Sequence, residues 1–540
     1  MKVLVLGGVA AGTKVAAKLM REDQSNEVLV LNKGKDISYA GCGLPYYVGH
    51  VIEDKEELIV NTPAQYEKLT GVKVLTETEA VKVDVQAKTV TAKAVVSGEE
   101  RVYSYDKLVI SVGASPVKPP IEGMNLENVF FVRTPADAIS IREVVDSGNV
   151  KKAVVVGAGY IGLEIAENLL LQGVRPVVLD MAPQVLPGFD MEMAAYVEDK
   201  LGDAGIPVVT GVKVTGLEGN GKVEKVLTDK RAYKTNMVIM SAGIRPNTEF
   251  LEGIGLEMFK GTILTDEFGQ TNIQDVYAAG DCAMVHHAVT GKAAWSPMGS
   301  TANMAGRLIA QNMSGKSIEY RGTLGTAVCK LPGINVGRTG LTQEQAEAEG
   351  FEPVSVLTVL DDKAHYMPGA GNFIIKMIAD RSSLRLLGVQ VIGAGAVDKV
   401  VDIAVTGIML KGTLTDLADM DLAYAPPFST AIHPFVHALN VLRNKIDGTL
   451  ESMTPAEYAA GATKGYKVVD TCKAASIEGA PFVELTTVDG PIDGLELEDN
   501  ILLVCNRGRK AYLLQNRMKS YGYKHTKVLE GGIAFNNVEV

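Results

Sequence analysis

Tryptophan is almost absent from this chain, with one residue in 540, and cysteine numbers only five. The thiols, Cys42, Cys282, Cys329, Cys472 and Cys505, are odd in number, scattered and outside any CxxC pair. That pattern excludes a secreted disulfide framework and paired-cysteine zinc sites, so reduced thiols, a cytoplasmic location and no bound metal are expected. Long apolar runs are also missing. No window approaches the roughly 20 residues of a membrane span, and the apolar run in the opening MKVLVLGG is too short for a signal sequence. Basic residues are in deficit, 53 Lys and Arg against 64 Asp and Glu for a net charge of -11, which disfavours nucleic acid as a partner. The length is too great for one core and predicts several domains.

What is present is a regular alternation of apolar strands and helices with glycine at their junctions, the pattern of an α/β protein. One unit occurs twice: KVLVLGGVAAGTKVAAKLM near the start and KAVVVGAGYIGLEIAENLL from Lys152 share the order strand, glycine turn, amphipathic helix. The second copy carries Gly157, Gly159 and Gly162 as GxGxxG, with Tyr160 directly after Gly159, and Asp180 closes the next strand. Such glycines let a pyrophosphate approach a helix N-terminus, and the carboxylate accepts from a ribose 2′-hydroxyl while opposing a 2′-phosphate. NADH is therefore expected in preference to NADPH. The first copy keeps Gly7, Gly8 and Gly12 but has Val9 at the middle glycine and Asn32, followed by Lys33, where the acid would stand. Asn32 is expected to bind a ribose hydroxyl there. Gly113 in SVGASP, Gly243 in SAGIRP and Asp281 in GDCA are further candidates for cofactor contact.

In this order the motifs resemble the FAD-dependent pyridine nucleotide-disulfide oxidoreductases over roughly residues 1 to 445. The resemblance implies FAD and NADH as cofactors, two Rossmann-like domains (FAD over 1–148 and 236–320, NAD over 149–235), an α+β dimerisation domain over 321–448, and a homodimer. Within that superfamily SYAGCGLPYY around Cys42 looks like the SxxNCGLPYY signature of coenzyme A-disulfide reductases, with Gly41 in place of the asparagine. Cys42 would then work as a single redox thiol with an external thiol as second sulfur, its pKa lowered by flavin, amides or a helix N-terminus. HYMPGA and YAPPFS resemble segments whose tyrosines, Tyr366 and Tyr424, reach the partner's active site. Bound coenzyme A would require cations, for which Lys18 and Arg21 are candidates. His433 is either an acid/base or a satisfied interface histidine. Cys282 and Cys329 read as packing residues.

The final segment, 453–540, places Cys505 at the end of an apolar strand, before Arg507, Gly508, Arg509, Lys510 and an amphipathic helix. Loop amides, the helix N-terminus and the cations would stabilise a thiolate or persulfide. The stretch resembles the rhodanese CxxGxR loop, with Lys510 for the closing arginine, and Cys472 is a candidate resolving thiol. Together the parts imply an NADH-dependent flavoprotein that reduces coenzyme A persulfide, polysulfide or coenzyme A disulfide, fed by Cys505. Two other readings stay open: an NADH peroxidase or oxidase cycling Cys42 through sulfenic acid, and a flavin-bound redox sensor or sulfur-trafficking protein.

Overall fold

A computed structural model describes residues 1–540, which form two compact units: 1–183 with 205–323, and 184–204 with 324–540. The first unit holds two five-stranded parallel sheets. One orders its strands Val276–Ala278, Lys107–Ile110, Lys2–Leu6, Glu27–Leu31 and Lys73–Leu75. Val3, Leu4, Val5 and Leu6 are all buried, as a strand covered on both faces requires, which is why the run is continuously apolar. The helix Ala10–Glu22 turns Val15, Ala16 and Leu19 into the same core and packs beside Gly299–Met313.

The second sheet orders Val208–Val209, Arg175–Leu179, Lys152–Val156, Met237–Met240 and Val129–Phe131. It therefore extends past the expected 149–235 span on both sides, taking a short strand from before it and one from after it. Residues 184–204, expected inside that span, group instead with the second unit. The cause is a set of buried polar groups: Lys376 Nζ lies 3.3 Å from Asp190 Oδ2 and 2.5 Å from Glu192 Oε1, and Asp190 also pairs with the buried Gln390. A buried ammonium requires such carboxylates, and they carry the helix Met191–Asp203 to the sheet containing Lys376.

That sheet is antiparallel and five-stranded, ordered Ala327–Leu331, Ile334–Gly340, Leu386–Gly393, Asn372–Asp380 and Pro353–Asp361, with the helices Val397–Met409 and Pro434–Ile446 against it. A further four-stranded parallel sheet follows, ordered Ser452–Met453, His525–Leu529, Asn500–Val504 and Lys467–Asp470. It is fastened to the antiparallel sheet through Glu530, which is 4% exposed. Its Oε1 accepts from Lys445 Nζ and Ser452 Oγ, each at 2.6 Å, and Oε2 from Leu357 N at 2.8 Å. No helix is long and apolar enough to cross a membrane.

Candidate active site

The two glycine turns of the first unit are built alike. Gly7 and Gly157 take φ of +101° and +116°, and a Cβ on either would meet a backbone oxygen, of Ser111 or Ser241, at 2.2 Å. A Cβ on Gly12 or Gly162 would lie 1.9 Å from the Gly7 or Gly157 carbonyl oxygen, so only glycine lets each helix sit this close to its strand. Around Gly159 there is open space. That space at a helix N-terminus fits a dinucleotide pyrophosphate.

The residue after each second strand grips its own turn. Ala158 N donates to Asp180 Oδ2 at 2.6 Å, and Gly8 N donates to Asn32 Oδ1 at 2.9 Å. Asp180 also accepts from Ala182 N at 2.8 Å, and each carboxylate oxygen keeps a lone pair for a ribose hydroxyl. Asn32 Nδ2 donates to Gly34 O at 2.8 Å and Asp36 O at 3.0 Å, so both its N–H groups are spent shaping the turn, while Oδ1 keeps a lone pair that can accept from a hydroxyl.

The other candidates are placed as follows. Lys33 pairs with Glu79 at 2.7 Å on the surface. Lys18 is bound by Glu22, which also takes Lys316 at 3.0 Å, while Arg21 is exposed. Gly113, at φ +66°, lies under Arg133, whose Nη2 is 2.9 Å from Asp281 Oδ2. Gly243 has φ +100° and open space about it. Tyr160 is the first residue of the helix Tyr160–Leu171.

Cys42 sits in a 3-10 turn, Gly41–Gly43, that runs into the short helix Leu44–Val48, and it is exposed. Tyr46 of that helix donates to Glu164 Oε1 at 3.1 Å. Burial pushes the Glu164 carboxyl up to about 7, with Tyr46 opposing and Glu167 adding to the rise. The same crowding raises the Cys42 pKa: desolvation of the sulfur comes first, then Glu164 and Asp281, against an attraction from Arg133. The expected lowering of the thiol pKa is thus not supplied by the chain's own groups, because desolvation raises it most and the charges of Glu164 and Asp281 add to that rise. Arg133 and Glu164 were not picked out from the sequence. The signal for Glu164 was an acid two residues past Gly162, in a helix whose only other charged residue is Glu167.

In the second unit, Tyr366 and Tyr424 are 65% and 50% exposed, and their segments meet where Ala364 N donates to Pro426 O at 3.4 Å. His433 is buried and caps the helix Pro434–Ile446, its Nδ1 accepting from Phe435 N at 3.2 Å. Burial, with Lys399 adding to it, lowers its pKa to about 4, the state of a satisfied, neutral histidine.

Cys505 follows the strand Asn500–Val504 and is 3% exposed. Its Sγ accepts from Gly508 N at 3.1 Å and Ala511 N at 3.4 Å, at the N-terminus of the helix Arg509–Ser520. Amides aimed at a sulfur favour its thiolate. Cys472 is buried in the same apolar cluster, and desolvation followed by Asp470 pushes its thiol up to about 12. Cys282, fully buried, is likewise pushed up to about 12 by burial, and Cys329 is buried.

Comparison with known proteins agrees with this geometry. The NAD(P)H sulfur oxidoreductase (CoA-dependent) of Pyrococcus furiosus is 36% identical over 82% of this chain and 99% of its own. An NADH oxidase of Methanocaldococcus jannaschii is 36% identical over 82% of this chain and 100% of its own. The structure of a NAD-dependent persulfide reductase from A. fulgidus superimposes with a TM-score of 0.94 at 34% identity, covering 99% of this chain and 100% of that one. The family model for pyridine nucleotide-disulphide oxidoreductases matches residues 1–303, and that for their dimerisation domain matches 326–435. With two matched glycine turns and an exposed thiol in the same unit, the chain belongs to the pyridine nucleotide-disulphide oxidoreductases, a family of FAD- and NAD(P)H-dependent enzymes.

Proposed function

We propose that the protein is an NADH-dependent reductase of coenzyme A persulfide, polysulfide or coenzyme A disulfide, working through Cys42 as its single redox thiol. The observation that carries the reading is the exposed Cys42 just before the helix whose Tyr46 hydrogen-bonds Glu164, in the unit that holds both glycine turns. Gly7, Gly8, Gly12, Gly113 and Asp281 would hold FAD; Gly157, Gly159, Gly162 and Asp180 would hold NADH. Bound FAD would supply two-electron relay between NADH and the sulfur. Asp180 selects the dinucleotide by accepting from its ribose. Glu164, poised near neutrality, is able to hold or release a proton beside Cys42. The Cys42 thiolate attacks the sulfane sulfur or a disulfide sulfur of the substrate, the substrate's own S–S bond breaks and its other sulfur leaves as a thiolate, and a two-electron reduction at the expense of NADH then breaks the new Cys42 S–S bond to release hydrosulfide or thiol. In a homodimer built on the dimerisation domain, Tyr366 and Tyr424 would approach Cys42 of the partner subunit. The C-terminal segment is read as a rhodanese-like module in which Cys505 carries sulfane sulfur, an assignment supported by the amides at its Sγ.

Oxygen or peroxide reduction is the second reading, favoured by the likeness to the M. jannaschii NADH oxidase. Against peroxide chemistry, the first glycine turn contains Val9, Ala10 and Ala11 and no acid/base group. Anaerobic NADH consumption with coenzyme A persulfide, coenzyme A disulfide, polysulfide and peroxide, for wild type, Cys42→Ser and Cys505→Ser, separates the two. Sulfur acceptors should give the highest rates, Cys42→Ser none, and Cys505→Ser a loss mainly with polysulfide. A peroxide rate above all sulfur rates would refute the proposal.

A further inference from the structure

The short helix Leu44–Val48 that follows Cys42 runs directly into a loop, residues 49–53, that doubles back over it. Val51 N and Ile52 N both donate to Tyr46 O, at 2.9 and 3.2 Å. His50, at φ +57°, lies in the left-handed region, which a residue with a β-carbon keeps only where its surroundings hold it. The Ile52 side chain then returns to the cysteine turn. A Cβ on Gly43, the residue next to Cys42, would lie 3.1 Å from Ile52 Cδ1, so that methyl packs onto the bare face of Gly43.

What holds the loop is Arg142, on the helix Pro135–Asp146 and 12% exposed. Its Nη1 donates to the carbonyl oxygens of Tyr47, Ile52 and Glu53 at 3.3, 3.1 and 2.8 Å, and the guanidinium carbon stands 4.4 Å from the centroid of the Tyr47 ring. Nη2 lies 2.7 Å from His50 Nδ1, while His50 Nε2 lies 2.8 Å from Asp146 Oδ1. A guanidinium only donates, so Nδ1 is the acceptor and Nε2 carries the proton given to Asp146. One side chain thereby grips the loop at both ends and at its left-handed middle, which a lysine ammonium, without the planar fork, does not reproduce.

We propose that Arg142 is a positioning residue for Cys42. It clamps residues 47–53, and its hold on the Ile52 carbonyl passes through the Ile52 side chain to Gly43 and so to the cysteine turn. The same clamp fixes the helix from which Tyr46 reaches Glu164. The proposal rests on the reading of Cys42 as the redox thiol and deepens it. A thiolate that attacks a sulfur must lie in line with the bond that breaks, and a misplacement of about 1 Å by a remote change can cost roughly a hundredfold in rate. Arg142 acts through Ile52 and not on the sulfur itself, so its loss falls on the step that uses the thiol.

The test uses the full-length, flavin-loaded protein, with flavin content matched by absorbance, and two NADH-dependent rates. One is measured with whichever of coenzyme A persulfide, polysulfide and coenzyme A disulfide wild type reduces fastest; the other with ferricyanide, which takes electrons from a reduced flavin without a thiol. Arg142→Ala should lower the ratio of the sulfur rate to the ferricyanide rate roughly tenfold or more. Arg142→Lys, which keeps the charge but not the fork, should lower it too and serves if the alanine variant folds poorly. Ile52→Val removes only the Cδ1 that meets Gly43 and should move the ratio in the same direction. An unchanged ratio in the Arg142 variant or in Ile52→Val overturns the positioning role, as does a parallel fall in both rates, the mark of a general loss of fold. If wild type reduces none of the sulfur acceptors faster than Cys42→Ser does, the redox reading of Cys42 fails, and this proposal with it.

Discussion

Tyr46 and Glu164 are joined by a hydrogen bond of 3.1 Å across two helices that meet beside Cys42. Burial leaves this carboxyl with a pKa near 7, and in its charged form it repels the Cys42 thiolate. Glu164→Gln removes that repulsion at every pH. Alkylation of Cys42 by iodoacetamide at pH 8 should then proceed roughly threefold faster than in wild type. Equal rates would mean that Glu164 does not set the reactivity of this thiol.

The same shift affects stability, with a definite sign. The folded pKa of Glu164 is raised from the ordinary 4.5 to about 7, so its contribution is fully present below pH 4.5 and is lost as the pH rises through 7. At pH 8 the charged, buried form costs up to about 3 kcal/mol. Glu164→Gln should therefore raise the thermal midpoint at pH 8 and lose that advantage near pH 4.5. A midpoint difference independent of pH would contradict the assignment.

Asn32 makes three hydrogen bonds inside the first glycine turn and is 6% exposed. Replacing it with alanine strands Gly8 N and two carbonyl oxygens, at about 1–3 kcal/mol for each group left buried without a partner. Asn32→Ala should release FAD on dilution and lower the thermal midpoint, whereas Asn32→Asp, which keeps the acceptor for Gly8 N, should retain more flavin. Flavin fluorescence after gel filtration distinguishes them. Equal retention by the two variants would remove the turn-shaping role.

Asp180 and Asn32 also show how far the sequence could be read. Both occupy the end of the second strand of a glycine-turn repeat, and that placement followed from spacing alone. The use of each side chain did not, because spacing does not reveal that Gly34 and Asp36 carbonyls come back to the Asn32 amide. The sheet strands, continuously apolar, were legible for the same local reason. Residues 184–204 were not: their helix Met191–Asp203 follows the strand Arg175–Leu179 as a continuation of the preceding repeat, while their packing is decided by Lys376, far along the chain. Arg133 and Glu164 act on the charge of Cys42 from different segments, so no local pattern joins them. The amides at Cys505 were legible because a strand, a glycine and a helix follow one another directly there.

The charge of Asp180 is the expected source of dinucleotide choice. Asp180→Asn keeps an acceptor for Ala158 N yet loses the charge that opposes a 2′-phosphate. The ratio of kcat/KM for NADH to that for NADPH should fall by about tenfold, equivalent to about 1.4 kcal/mol. A ratio unchanged in steady-state assays would place the discrimination elsewhere.

Lys376 is the test of why residues 184–204 pack where they do. It is 4% exposed and stands between Asp190 and Glu192, both largely buried. Lys376→Met fills the same space but leaves two carboxylates facing each other without a cation, a loss of about 3–5 kcal/mol. The thermal midpoint should drop, and limited proteolysis should cut within 184–204. Adding Glu192→Gln to Lys376→Met removes one of the uncompensated charges, so the double variant should regain part of the loss, which a mere packing defect at Lys376 would not allow. If the double variant is no more stable than Lys376→Met alone, the ion cluster is not what holds the helix Met191–Asp203 to the antiparallel sheet.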